Sequence, residues 1–217
     1  MRIVAISDTH GKHNQLQLPA GDILVHCGDW SRMGKHHEVI DFFKWFRRQS
    51  GFKHRLFIAG NHDLSFEREL DFKNEMLKEY GELIYLEESG VEIDGVNFWG
   101  SPWTPYFHGW AFNFNEGKSG HFQAEAHWKR IPEGTNVLIT HGPSHDILDR
   151  CDNDGHFAGS RELSKRIVEV QPDYHLFGHV HEGYGENPWT LAPTDCINCS
   201  VCNLQYMPVN APVTLEM

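Results

Sequence analysis

Cysteine is scarce in this chain of 217 residues: there are five, and three of them share one stretch, Cys196-Ile197-Asn198-Cys199-Ser200-Val201-Cys202. An odd number, with Cys27 and Cys151 far from the rest, does not make a disulfide framework and suits a reducing compartment. Positive charge is scarce too. Nineteen Lys and Arg stand against 30 Asp and Glu, a formal net charge of -11, which argues against a long nucleic acid as the main partner because duplex binding needs an excess of cations facing phosphates. A small anion could still be drawn to a local basic or metal-rich site. Long apolar runs are missing: none approaches the roughly 18 residues of a membrane span. Residues 1–8 (MRIVAISD) lack the apolar stretch and cleavage site of a signal peptide. The expectation is a cytoplasmic protein with no membrane partner. No repeat, low-complexity segment or Gly/Ser linker divides the chain, and with 40% hydrophobic residues it is expected to form one domain over residues 1–217.

Histidine, by contrast, is abundant, with 16 copies, and its placement follows a pattern. Short apolar runs end abruptly in polar residues. Residues 2–7 (RIVAIS) lead into Asp8-Thr9-His10, 22–27 (DILVHC) into Gly28-Asp29, and 55–59 (RLFIA) into Gly60-Asn61-His62-Asp63. Later, 136–140 (NVLIT) lead into His141-Gly142 and 174–177 (YHLF) into Gly178-His179-Val180-His181. Such runs, bounded by Gly, read as buried strands. Val39, Phe42, Phe43 and Phe46 recur at helical spacing between them, as do Phe66, Leu70, Leu77 and Tyr80. Strands alternating with helices imply an α/β fold with a largely parallel sheet. In open α/β sheets ligands bind beyond the C-terminal strand ends. One Asp or Asn there is ordinary turn chemistry. Five exits carrying metal-ligand side chains are not, since turns do not require histidine.

Asp8, His10, Asp29, Asn61, His141, His179 and His181 offer oxygen and imidazole nitrogen and no thiolate. Mixed sets of this kind suit Mn²⁺, Fe, Co²⁺, Ni²⁺ or Zn²⁺ rather than Ca²⁺. Seven donors exceed the usual three protein ligands of one open catalytic metal. Two divalent metal ions sharing a carboxylate divide them sensibly, and paired metals can hold a hydroxide and clamp the oxygens of an in-line displacement at phosphorus. Phosphate-ester hydrolysis is the natural reaction, with a small phosphoester or nucleotide as substrate.

These five blocks, in this order, closely resemble the signature blocks of the calcineurin-like metallophosphoesterase superfamily. Residues 90–105 and the following Trp110-Ala111-Phe112-Asn113 look like a narrower branch, the metallophosphoesterase-domain-containing proteins similar to class III cyclic-nucleotide phosphodiesterases. The resemblance implies two mixed β-sheets packed together and flanked by helices, an α/β/β/α sandwich. It implies one metal on Asp8, His10 and His181, a second on Asn61, His141 and His179, and Asp29 bridging both. Manganese is the foremost expected ion. It further implies that a metal-bridging hydroxide attacks in line, that His62 faces the scissile phosphate and helps the leaving oxygen depart, and that Asp63 orients His62 or tunes it. The plain alternative for Asp63 is a helix N-cap. Cyclic nucleotides are the expected phosphodiester substrates; a phosphomonoesterase or nucleotidase, or a metal-binding scaffold without turnover, are the other readings of the same site.

Eight aromatics lie between Phe98 and Phe114. Asp94-Gly95 is expected to turn a hairpin, and beyond Gly100 the prolines and glycines leave a loop. Its rings either stack a nucleobase or fill a small core. Trp110, Asn113 and Tyr106 are the expected substrate contacts. The cysteine stretch falls on an expected late strand, residues 194–200, with another at 212–216. Extended backbone sends Cys199 to the face opposite Cys196, so the three are expected to be small buried residues rather than one metal site.

Overall fold

The computed structural model describes residues 1–115, 117–151, 155–188 and 192–217. The first half runs β1 (Arg2–Ile6), β2 (Ile23–Cys27), α1 (His36–Arg47), β3 (His54–Ile58), α2 (Leu64–Arg68), α3 (Leu70–Glu79) and β4 (Ile84–Tyr85). The second runs β5 (Ser89–Ile93), β6 (Val96–Ser101), α4 (Lys118–Trp128), β7 (Val137–Thr140), α5 (Arg161–Val170), β8 (Tyr174–Phe177), β9 (Gly185–Pro188), β10 (Asp195–Asn198) and β11 (Val213–Glu216). Two mixed sheets result, with strand orders β11-β1-β2-β3-β4 and β5-β6-β7-β8-β10-β9. In the first, β1 to β4 are parallel and β11 is antiparallel to β1. In the second, β6, β7, β8 and β10 are parallel, with β5 and β9 antiparallel on the two edges.

Alternation along each strand makes three apolar layers. Ile3, Ala5, Val25, Leu56 and Ile58 of the first sheet meet Phe98, Val137, Ile139 and Leu176 of the second in the layer between sheets. Val4, Ile6, Leu24 and Phe57 face the other way, onto Val39, Phe42, Phe43 and Phe46 of α1. On the far side Leu138 and Phe177 pack against Trp128 of α4 and against Leu163 and Ile167 of α5. The order of layers is therefore helix, sheet, sheet, helix. Strands buried on both faces explain why the runs are apolar throughout rather than alternating.

Two expectations need revision. The stripe Phe66, Leu70, Leu77, Tyr80 is not one helix face: backbone at Glu69 leaves the helical region (φ -125, ψ 75), separating α2 from α3. Leu70 is turned out and is 60% exposed, while Phe66, Met76 and Tyr80 are in the core. The aromatic loop is not of one kind, since only part of it fills a core. Phe98, Phe112 and Phe114 are buried, whereas Tyr106 and Phe107 are exposed by 48% and 45%.

The three clustered cysteines are buried in three different layers: Cys196 under α4 and α5, Cys199 between the sheets, Cys202 on the α1 side. Their stretch joins the sheets at one end. The Cys199 N–H donates to the Phe177 carbonyl at 2.7 Å and its carbonyl accepts from the Ser7 N–H at 2.8 Å. The exits of β8 and β1 are thereby held side by side.

Candidate metal centre

The C-terminal ends of β1, β2, β3, β7 and β8 converge there, and with them all seven expected donors. Burial is nearly complete: Asp8, Asp29, Asn61, His10 and His141 are at most 2% exposed. Four of the seven, Asp8 (φ 54), His10 (φ 43), Asp29 (φ 55) and His179 (φ 71), adopt left-handed backbone that non-glycine residues rarely occupy. Strain of this kind persists only where surrounding structure over-determines it. Neighbouring glycines make the approach possible. A Cβ on Gly60 would stand 2.3 Å from Asp29 Oδ1, and one on Gly178 2.0 Å from Asp8 Oδ2.

Asp29 lies between two groups of donors. Its Oδ2 faces His10 Nε2 at 3.9 Å; beyond it, His10 Nε2 and His181 Nε2 are 3.2 Å apart, and Asp8 Oδ1 is 3.8 and 3.4 Å from them. Its Oδ1 faces His141 Nε2 at 3.4 Å, and Asn61 Oδ1 lies 2.9 Å from both His141 Nε2 and His179 Nδ1.

Whether these residues fit cations is decided by where their protons go. Carbonyls take the outer nitrogens: His10 Nδ1 meets Ser31 O at 3.2 Å, His141 Nδ1 meets Cys27 O at 2.9 Å and His181 Nδ1 meets Asn203 O at 3.0 Å. A carbonyl can only accept, so each Nδ1 is the donor and each Nε2 turns a lone pair inward. Asp8 Oδ2 accepts from the His179 N–H (3.0 Å) and the Ser200 hydroxyl (2.9 Å), yet the buried Asp8 Oδ1 has no hydrogen-bond partner among the described residues. Buried lone pairs facing one another are costly unless something positive lies among them. The set fits divalent cations, and three overlapping groups drawn from it and the adjacent His62, namely Asp8-His10-His181, His10-Asp29-His62 and Asp8-Asp29-His141, hold their donor atoms within 4.8 Å of one another.

Protons partly serve in place of such cations. Burial would lower the pKa of His141, but adjacent Asp29 raises it to about 9. His181 is likewise opposed by burial and raised to about 9 by the neighbouring Asp8 carboxylate, 3.4 Å away. His10 and His179, where burial prevails, fall to about 4 and about 3.

A family profile described as calcineurin-like phosphoesterase matches residues 1–183. The chain belongs to that family. Its members are phosphoester hydrolases that use divalent metals. This calcineurin-like phosphoesterase is 37% identical over 237 aligned residues to metallophosphoesterase domain-containing protein 1 of Homo sapiens, covering 100% of this chain and 71% of that protein. It is 36% identical to UPF0046 protein K07C11.7 of Caenorhabditis elegans over 94% of this chain and 70% of the relative. In fold, it aligns with TT1561 of Thermus thermophilus at a TM-score of 0.64 and 14% identity, over 91% of this chain and 88% of that one. No helix among the described residues is long and apolar enough to cross a membrane.

His62 stands beside the donors with a 16% exposed side chain, Nε2 lying 3.9 Å from Asp29 Oδ2. Its Nδ1 bonds the Arg32 carbonyl at 2.7 Å, and the Trp110 ring stacks on it at 4.2 Å between centroids. Asp63 stands at the N-cap position of α2. Its side chain makes no capping bond there: Oδ2 accepts from the N–H groups of Asp29 (3.0 Å) and Gly60 (2.8 Å), and Oδ1 from the Ser31 N–H (3.0 Å) and hydroxyl (2.6 Å). Asp63 thus ties the β2 exit to the β3 exit. Asn113 is similarly occupied inside its loop. Its Oδ1 accepts from Phe107 N at 3.1 Å, and Nδ2 donates to Thr104 Oγ1 at 2.8 Å and Ala111 O at 3.1 Å.

Beside the donors opens a cavity of about 290 Å³, lined by Tyr106, Phe107, Leu204 and Tyr206 as well as Asp29, Asn61, His62, His179 and His181. Sequence reasoning missed Tyr206, whose ring packs edge-on to His10 at 4.7 Å, and Ser31 and Ser200, which hold ligand loops. The turn-forming Asn203 that directly follows the cysteine stretch is the hint the sequence carries of that loop. A larger cavity of about 600 Å³ lies past Tyr106, lined by Phe114, His121 and Arg161, and none of the seven donors borders it.

Proposed function

We propose that this protein is a two-metal phosphodiesterase that hydrolyses small phosphodiesters, cyclic nucleotides being the favoured class. The observation that carries the reading is Asp29, one carboxylate with an oxygen turned toward each of two donor groups. Asp8, His10 and His181 would hold one cation and Asn61, His141 and His179 the other, manganese being the expected ion. When bound, such a pair polarises the phosphate oxygens and makes an attacking oxygen available at neutral pH.

What the chain itself supplies is orientation and a proton. The Arg32 carbonyl fixes the His62 tautomer by taking Nδ1–H, which leaves Nε2 as the atom directed at the cleft. A proton on Nε2 can then pass to the departing oxygen, a contribution typically of 10²- to 10⁴-fold. Trp110 is assigned to holding the imidazole plane, Tyr106 to contacting substrate, and Asn113 to shaping the loop that presents both. A cavity of about 290 Å³ is at the small end of the usual range for ligand sites, roughly 300–1,000 Å³, which favours a small ester over a polymer.

The test is a substrate panel on manganese-loaded protein: bis-p-nitrophenyl phosphate, p-nitrophenyl phosphate, 2′,3′- and 3′,5′-cyclic nucleotides and 5′-nucleotides. Higher kcat/KM for diesters is expected. A clear preference for monoesters would make the protein a phosphomonoesterase, and no turnover with any divalent metal would make it a scaffold.

A further inference from the structure

A second cleft of about 390 Å³ lies on the other side of His62, and among the described residues only His62 and Tyr206 border both it and the cavity with the donors. Its chemistry differs from that of its neighbour. Arg32, Lys35 and His37 line it, together with Trp110 and Glu38. The side chains of Arg32 and Lys35 form no ion pair among the described residues. Glu38 offsets one of these two cations and leaves an excess of positive charge; its Oε2 is held in place by the N–H groups of Met33 (3.1 Å) and Lys35 (3.0 Å) at the start of α1. In a chain of net charge -11, a cation-lined cleft bordering the reacting centre is a local exception, and fields in clefts attract the opposite charge. The donor-side cavity, with Tyr106, Phe107 and Leu204, suits an apolar or aromatic arm instead.

We propose that the cleft of Arg32, Lys35 and His37 receives the leaving arm of the substrate and selects phosphodiesters whose leaving alcohol carries a second anionic group, such as another phosphate. This rests on the phosphodiesterase reading and deepens it. His62 serves the departing oxygen, so whatever lies beyond His62 is attached to that oxygen. Water adds to phosphorus, the P–O bond to the leaving arm breaks, the leaving oxygen takes its proton from His62, and the proton given up by the water goes to solvent, which reprotonates His62. The retained arm stays with the new phosphomonoester on the aromatic side.

Three synthetic substrates separate the arms: methyl p-nitrophenyl phosphate, the same ester with a phosphonomethyl group on the nitrophenol, and an isomer with the phosphonate on the retained alkyl arm. Nitrophenolate is always the leaving group, and the P–C bond is not hydrolysed. With manganese-loaded wild-type protein, the leaving-arm phosphonate should raise kcat/KM about tenfold over the neutral ester, in line with one or two partly exposed charge-assisted contacts. The retained-arm isomer should show no such gain. The preference should shrink in 0.5 M salt, where the screening length is about 4 Å, and fall to near unity in the R32A/K35A variant. Equal rates for both isomers, a preference indifferent to salt, or a preference kept by the variant would overturn the assignment; the salt and isomer comparisons do not depend on the variant folding. Failure to cleave even the neutral ester with any divalent metal would defeat the phosphodiesterase reading, and this inference with it. Cleavage without preference would defeat this inference alone.

Discussion

Replacing Asp63 by Ala should unfold the site before it affects the chemistry. The carboxylate accepts N–H groups from Asp29, Gly60 and Ser31 at 2.8–3.0 Å, and it is fully buried. The fourth donor, the Ser31 hydroxyl, has the His62 carbonyl as an alternative at 3.2 Å, so three N–H groups lose their acceptor. Each costs about 1–3 kcal/mol when left buried. Allowing for water entering the space, the sum is about 3–5 kcal/mol, a large part of the 5–15 kcal/mol that domains typically have. Asp63→Asn retains one acceptor oxygen but turns an amide N–H₂ toward donors, which should cost about 2 kcal/mol by the same count. Urea unfolding of the metal-free protein measures both, with metal content of each variant measured alongside. Since Asp63 ties the loops bearing Asp29 and Asn61, metal retention should fall in the same order. An Asp63→Ala variant with an unchanged urea midpoint and full metal content, but depressed turnover, would refute the loop-tying role and restore a direct one in catalysis.

Other outcomes follow from the same geometry. His62→Ala should lower kcat by about 10²-fold or more while both metals remain, checked by metal analysis of the purified variant; loss of metal would mean that His62 is a ligand. Metal affinity should rise with pH. His141 and His181, held near 9, carry protons at neutral pH that cations must displace, so dissociation constants for Mn²⁺ measured by titration should weaken by roughly tenfold per proton for each unit of acidification below 9. Acid should also destabilise the metal-free fold through two histidines outside the donor set. Burial lowers His26 and His175 to about 3, against about 6.5 unfolded. The unfolded chain therefore binds protons that the folded chain does not once pH drops below 6.5, and at pH 5 each histidine should remove roughly 2 kcal/mol. A urea midpoint in EDTA that does not move between pH 7 and 5 would contradict this. Substituting Cys196, Cys199 and Cys202 by Ala together should destabilise the fold and leave the number of metals per folded chain unchanged.

The strand exits were readable because the same five runs that must be apolar on both faces also end in residues that turn chemistry does not require. The hairpin at Asp94-Gly95 was readable for a local reason as well: both residues take positive φ, 50 and 83, as such a turn demands. Leu70 was not, because the break at Glu69 depends on where Phe66 and Met76 find space in a core assembled from distant strands. The loop-tying hydrogen bonds of Asp63 and Asn113 were not readable, for a related reason. Each is a polar residue beside a functional one, and the sequence cannot tell whether its hydrogen bonds reach the site or tie the chain behind it. Tyr206 gave no signal at all. Its place over His10 depends on the loop after Cys202, which the carbonyl of Asn203 fastens to His181 from 22 positions away.

The central claim is that two cations share Asp29. Anomalous diffraction from crystals of manganese-loaded protein tests it directly. Two peaks about 3.5–4 Å apart, one bounded by Asp8, His10 and His181 and the other by Asn61, His141 and His179, with an oxygen of Asp29 on each, are the expected result. A single peak, or metal bound away from Asp29, would contradict the account.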